Sequence, residues 1–464
     1  MTLLVSEITL KNVRCYKNVT INLAGDDGPH SLLIAGNNGS GKSALLRSIA
    51  MGLCDQASAG SLLRELLGDF IRKQNDSVED ERNASISIKL VDVDLKEKYE
   101  ICTILTTYSQ LGFEVVEQKL TGPDGDTVDQ IKFPWDRIFI SAYGAGLRTE
   151  GTEDYAQYFA GDAVYTLFKY AHTLQNPELV WRRLRVASKK KNDKKVVDRE
   201  VESKLLSILN LNDNTPPASS KNSVMLQVNG IHVTSEWGKQ ELDALGDGYR
   251  ALITMTMDII GWQLLRQNNA TILEEIDTGK SGIWQPLEWN KIDGIVIIDE
   301  IEKHLHPKLQ RTVIDRLVTV FPKIQFLIST HSPLCISGAA DVSETTFRVL
   351  AAHRNEDGGR GISEKPIPVG FRADQVLVDY FGLSTTVSPV WEKKVNELRE
   401  LILLKAKHKL ILKQQERLED LRAELGRHAP LLYEREEDRE IMSGNQERYE
   451  KMLRALEDVK NTDD

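Results

Sequence analysis

Gly36-Asn37-Asn38-Gly39-Ser40-Gly41-Lys42-Ser43 fits the pattern GxxxxGK[ST], and no other feature of this chain narrows its fold as far. The octet follows an apolar strand, Leu32-Leu33-Ile34-Ala35, and leads into a helix-like run from Ala44 to Ala50. Strand, glycine-rich loop and helix together make a phosphate cradle. The glycines allow the tight turn, backbone N–H groups point at the phosphates, and the helix adds its positive end. In such a loop Asn37, Asn38, Gly39, Ser40 and Gly41 wrap the phosphates of ATP. Lys42 then reaches the β- and γ-phosphates and Ser43 ligates Mg²⁺. The expected fold class is therefore α/β, built on a nucleotide-binding sheet.

The rest of such a site lies far down the chain. Ile295-Val296-Ile297-Ile298-Asp299-Glu300 describes a buried strand with two carboxylates at its tip. Asp299 is placed to hold Mg²⁺ and Glu300 to polarise the attacking water. One strand further, Ile324 to Ser329 ends in Thr330-His331-Ser332-Pro333, which puts His331 where it can sense the γ-phosphate.

Composition allows a large core: 464 residues, 41% hydrophobic. No apolar run approaches the roughly 18 residues that a membrane helix needs. The N-terminus lacks the basic start and cleavage site of a signal peptide, so the expected location is cytoplasmic. Cys15, Cys54, Cys102 and Cys335 lie too far apart for a zinc site or a disulfide framework. With a net charge of −10, nucleic acid can be held only through a local basic patch. Lys189 to Lys195 is one such run, readable as solvated surface or as a nucleic-acid or partner contact.

Local patterns give the expected organisation. Residues 3–35 read as two strands around a turn before the phosphate loop, and Leu45 to Leu67 as a helix interrupted near Gly60. Period-two alternation over 84–145 reads as an inserted antiparallel sheet, and 150–215 as a helical insertion. Asn229-Gly230 marks a hairpin, followed by a helix from Gly248 to Gln267. Trp391 to Leu425 reads as one charged helix, in which Leu404, Ile411, Leu418 and Leu425 form either a weak coiled-coil seam or a face that packs on the chain's own head. Glu434 to Asp464 continues it as a charged, frayed end. The domains are thus a head over 1–385 and a helical extension over 386–464.

Ala244-Leu245-Gly246-Asp247-Gly248-Tyr249-Arg250, opening a helix, completes a set of motifs that resembles the ABC-type ATPases of the SMC and RecF kind. In that family a short LSxG-like motif closes on the ATP held by a second subunit. The resemblance therefore implies a homo-oligomer, at least a dimer, with Gly246, Asp247 and Gly248 facing a partner's nucleotide. Gly246 stands where the family usually has serine, so one hydroxyl contact to the γ-phosphate is missing. Tyr143-Gly144, Leu174 to Leu184, Gly246 to Ile253, Glu302 to Gln310 and Ser329 to Pro333 are further similar to the OLD-like group of bacterial defence ATPases, including those of Septu and retron systems. The likeness covers roughly residues 1–385. OLD nucleases carry a Toprim nuclease domain after the ATPase, but the helix-rich tail here lacks the acidic strand-end pattern of that metal site, and no HNH motif appears. The resemblance therefore implies an ATPase acting with a separate HNH nuclease of the PtuB kind and meeting nucleic acid through that complex. Two alternatives stay open: a RecF-type DNA-repair ATPase, and an ATP-gated scaffold that does not hydrolyse.

Overall fold

The computed structural model describes residues 2–26, 28–66, 70–72, 81–108, 113–146, 151–188, 191–209, 223–227, 230–235, 238–272, 284–342, 346–354, 360–383, 388–406 and 411–428. These fall into two compact units, one ending at Gly382 and the other beginning at Leu383.

In the first unit, β1 (Leu3–Val13) and β2 (Tyr16–Asn22) precede β3 (Ser31–Gly36), which carries the phosphate loop into α1 (Lys42–Gly52). After α2 (Gln56–Glu65) come β4 (Glu81–Asp92), β5 (Lys98–Tyr108), β6 (Phe113–Thr121) and the short β7 (Thr127–Val128). These strands form one antiparallel sheet in the order β2-β1-β4-β5-β6-β7. The sheet read from the sequence between 84 and 145 therefore takes in β1 and β2 from ahead of the loop. The last strand of that window, β8 (Ile140–Tyr143), leaves it for the second sheet.

Next come β9 (Gly151–Glu153), α3 (Ala160–Val164), β10 (Leu174–Gln175), α4 (Pro177–Ala187) and α5 (Lys191–Leu209). A three-stranded antiparallel sheet follows, of β11 (Ser223–Gln227), β12 (Gly230–Ser235) and β13 (Gly238–Glu241), and then the long helix α6 (Asp247–Gln267). The chain continues through β14 (Gly294–Ile298), α7 (Pro307–Gln310), α8 (Val313–Val320), β15 (Ile324–Thr330) and α9 (Pro333–Gly338). It closes with β16 (Phe347–Arg354), β17 (Arg360–Lys365) and α10 (Ala373–Phe381).

The second sheet runs β17-β16-β3-β15-β14-β8, parallel throughout except for β17. Every residue of β3, β14 and β15 is buried, as both faces of a parallel sheet require. Alternation divides them between two cores. Leu32, Ile34, Ile295 and Ile297 face the antiparallel sheet and α1; Leu33, Ala35, Val296 and Ile298 face the core of α4, α5, α6 and α8. The three site-bearing strands are thus clamped between two apolar layers, with their C-terminal ends side by side.

Several local readings need correction. The helix break falls at Leu53 to Asp55, not at Gly60. Asp55 caps α2 by accepting hydrogen bonds from Ala57 N and Ser58 N, and Gly60 sits inside that helix. The expected hairpin is present, β11 pairing antiparallel with β12 up to Gln227 opposite Gly230; Gly230 opens β12, and Val228 and Asn229 lie outside the described residues. Of the expected helical insertion over 150–215, the described part before α4 holds only β9, the short α3, a single 3₁₀ turn and β10. Its aromatic side chains pack instead of winding; Tyr155 and Tyr158 lie against Trp262 of α6.

In the second unit, α11 (Pro389–Ala406) and α12 (Leu412–His428) replace the single long helix with a hairpin. Leu418, Leu421 and Leu425 pack on Val395, Leu398 and Leu401, whereas Ile411 is exposed, so the seam is internal to the hairpin. Arg417 grips Glu397 with two bonds of 2.8 Å. Glu434 to Asp464 lies outside the described residues. Leu421 is fully buried in this small core. Leu421→Ala is expected to cost about 2–4 kcal/mol locally, read as faster proteolysis within 389–428 with nucleotide affinity unchanged.

Candidate nucleotide site

The phosphate loop leaves β3 and enters α1 through two positions that tolerate only glycine. Gly41 has φ +104, and a Cβ there would lie 2.6 Å from the Tyr16 hydroxyl. Gly36 has φ +154 and would set a Cβ 2.6 Å from the carbonyl of Ala352. Lys42 folds back under the loop, donating to Gly36 O at 2.8 Å and Asn37 O at 3.1 Å. Burial pushes its pKa down to about 8, although Asp299, Glu300 and Glu302 nearby favour the charged form. An arriving phosphate would restore that charge.

Asp299 and Glu300 follow β14, and His331 follows β15, the strand between β14 and β3. One hydroxyl organises both carboxylates: Ser329 Oγ donates to Asp299 Oδ1 and accepts from Glu300 N at 2.9 Å. Glu300 sits at φ +55, a left-handed conformation costing on the order of 1–3 kcal/mol for a residue with a side chain. Its carboxylate lies 3.2 Å from Lys303 Nζ and 3.5 Å from His331 Nε2. The other His331 nitrogen, Nδ1, lies 3.3 Å from Lys42 Nζ.

These groups line one cavity of about 710 Å³, walled by Asn38 to Ala44 with Glu300, Glu302, Lys303 and His331. Asp299 is 3% exposed, and its Oδ2 is buried without a hydrogen-bond partner. An orphaned, buried carboxylate oxygen fits a Mg²⁺ ligand, and Ser43 on the cavity wall is placed to be a second. Gly246, Asp247 and Gly248 do not line this cavity. They form the N-terminus of α6, with Gly246 and Asp247 exposed; a Cβ on Gly248 would lie 2.6 Å from His304 O.

A family described as an AAA domain matches residues 7–215. A second family, described as "AAA domain, putative AbiEii toxin, Type IV TA system", matches residues 175–337. Over 395 residues the chain is 25% identical to the Septu protein PtuA of Bacillus mycoides (strain KBAB4), covering 82% of this chain and 45% of that protein. It is 23% identical to the Retron Vc95 probable ATPase of Vibrio cholerae serotype O1 biovar El Tor, covering 89% of this chain and 85% of the other. The chain resembles PtuA and the retron ATPases. It spans less than half the length of the first of these relatives and most of the second. Among solved structures it is similar to an SMC head bound to the C-winged helix domain of ScpA, with a TM-score of 0.46, 16% identity, and 78% and 98% of the two chains covered. It is also similar to the SMC head domain from Thermotoga maritima, with a TM-score of 0.40, 15% identity, and coverage of 79% and 100%. The fold is that of an α/β P-loop ATPase head carrying a helical C-terminal part. No helix among the described residues is long and apolar enough to cross a membrane.

Three groups at the site escape sequence reasoning. Ser329 reads as the last residue of a buried strand, Glu302 as one acid among several, and Arg360 as part of a loop. In the fold Arg360 donates to Gly39 O at 2.7 Å, steadying the phosphate loop from β17. Behind the site, Tyr143 at the end of β8 accepts Asp299 N through its carbonyl, while its hydroxyl donates to Asp258 Oδ2 at 2.9 Å. Gln175 N donates to the other oxygen of Asp258. Full burial pushes the Asp258 carboxyl up to about 6 from an ordinary 3.8. Between those values the folded chain keeps a proton that the unfolded chain has lost, so this group's contribution to stability falls as pH rises through about 6. Asp258→Asn is therefore expected to raise Tm by a few degrees at pH 8, by about half as much at pH 5 and not at all near pH 3.5, in thermal melts across that range.

Proposed function

We propose that this chain is the ATP-driven switch of an anti-phage defence complex, binding and hydrolysing Mg-ATP and thereby controlling a partner HNH nuclease. One observation carries the ATPase part: Lys42 from the loop after β3, Glu300 after β14 and His331 after β15 line one cavity of about 710 Å³. Mg²⁺, held by Ser43 and Asp299, would supply charge neutralisation to the phosphates. Glu300 accepts the proton of the attacking water, and His331 and Lys42 hold the γ-phosphate oxygens as charge develops.

The exposed N-terminus of α6 supports a two-copy site. The N–H groups of a helix N-terminus such as Gly246 to Gly248 suit a phosphate, yet these residues do not line the chain's own cavity. ATP held between two copies closes the assembly and hydrolysis opens it. The defence role and the HNH partner rest on the likeness to PtuA and the retron ATPases. The test is co-expression with an HNH protein encoded beside this chain, followed by mass-resolved chromatography with and without ATP. A complex whose nuclease activity follows the nucleotide supports the reading; a free dimer that binds DNA alone contradicts it. Gly246, which offers no hydroxyl to the γ-phosphate, favours a second reading, a scaffold that binds ATP without turnover. Phosphate release by the purified chain separates the two.

A further inference from the structure

Resting on that reading, we propose that Glu302 is a positioning residue that fixes the loop carrying His331, with Gln310 as its second anchor. Both Glu302 oxygens are committed to that loop: Oε1 accepts the His331 backbone N–H at 2.6 Å, and Oε2 accepts the Thr330 hydroxyl at 2.7 Å. Thr330 Oγ1 in turn accepts Ser332 N at 2.9 Å. Gln310 completes the clamp. Its Oε1 accepts the Ser332 hydroxyl at 2.7 Å, and its Nε2 donates to Leu305 O at 2.9 Å, which ties the clamp back to its own segment. Each residue of Thr330-His331-Ser332 is thereby bonded to a side chain of the 302–310 segment or to a neighbour that is.

The position of the His331 ring depends on this backbone. The ring reaches only across gaps of 3.3 Å to Lys42 and 3.5 Å to Glu300, and its side chain is one-quarter exposed, so packing alone does not hold it. Glu302 also lines the cavity, but its committed oxygens leave it unfit as a second base. It acts through His331. A carboxylate suits the task because both its oxygens accept, and the loop presents two donors. Alanine removes both bonds, whereas glutamine keeps the geometry: its oxygen still accepts His331 N–H and its NH₂ can donate to Thr330 Oγ1.

The test compares Glu302→Ala, Glu302→Gln, His331→Ala and the double Glu302→Ala/His331→Ala. It uses steady-state ATP turnover, ATP affinity, and amide exchange of the 329–333 peptide. Misplacement by about 1 Å lowers kcat by about 10²-fold in Glu302→Ala, while ATP Kd stays within about threefold. Glu302→Gln recovers most of the rate. The double variant turns over no more slowly than His331→Ala, because the two losses share one cause. Exchange at 329–333 accelerates in Glu302→Ala and not in Glu302→Gln. Additive losses, or unchanged exchange, would overturn the proposal. Absence of turnover in the parent chain would sink the ATPase reading instead, and the exchange measurement would still decide whether Glu302 holds the loop.

Discussion

Lys42→Ala is expected to weaken ATP binding at least about 100-fold, since a charge-assisted contact to phosphate is lost together with the group that shapes the loop. Lys42 is 4% exposed; its ammonium lies under the loop on Gly36 O and Asn37 O, 3.3 Å from His331 Nδ1. Burial leaves the charge poorly solvated there without a phosphate and lowers its pKa to about 8. Folding should therefore tolerate the alanine while binding does not. Titration calorimetry with Mg-ATP, paired with a thermal melt, separates these effects. A Kd within threefold of the parent value would remove Lys42 from the nucleotide site.

Glu300→Gln is expected to keep ATP bound and to lower turnover by about 10²–10⁴-fold, the usual range for losing a general base. The amide is isosteric, so the left-handed backbone at φ +55 and its bond to Ser329 Oγ are retained. What disappears is an oxygen able to accept a proton, and with it one negative charge facing the γ-phosphate. ATP should bind as well as before or better, and the ATP-closed assembly should persist. Single-turnover phosphate release and light scattering of the same sample read both effects. Turnover equal to that of the parent chain would exclude Glu300 as the base.

The parts of the site legible in the sequence are those encoded locally. The phosphate loop declares itself because strand, glycines and helix are contiguous, and Asp299-Glu300 because an apolar run ends in two acids. Interactions across the chain are not written that way. Nothing in the string around Leu3 says that β1 will pair with β4 beyond the phosphate loop. Ser329 and Glu302 gain their roles only once β15 lies beside β14. The helical hairpin hid for a similar reason: no proline or glycine marks the break between Ala406 and Ile411. The heptad through Leu418 and Leu425 fits a continuous helix as well as a folded one. At Gly60 the misreading ran the other way, since a capping Asp55 outweighs a glycine that a helix can absorb.

The central claim is that ATP joins the phosphate loop of one copy to the α6 N-terminus of another. It is tested most directly by cross-linking Asn38→Cys to Asp247→Cys, both exposed positions, in a Glu300→Gln background mixed from two singly substituted chains. A short bismaleimide should yield a covalent dimer of the two different chains with Mg-ATP, and little without nucleotide or with Lys42→Ala. ATP binding with no such dimer, or a dimer formed equally well without ATP, would contradict the account.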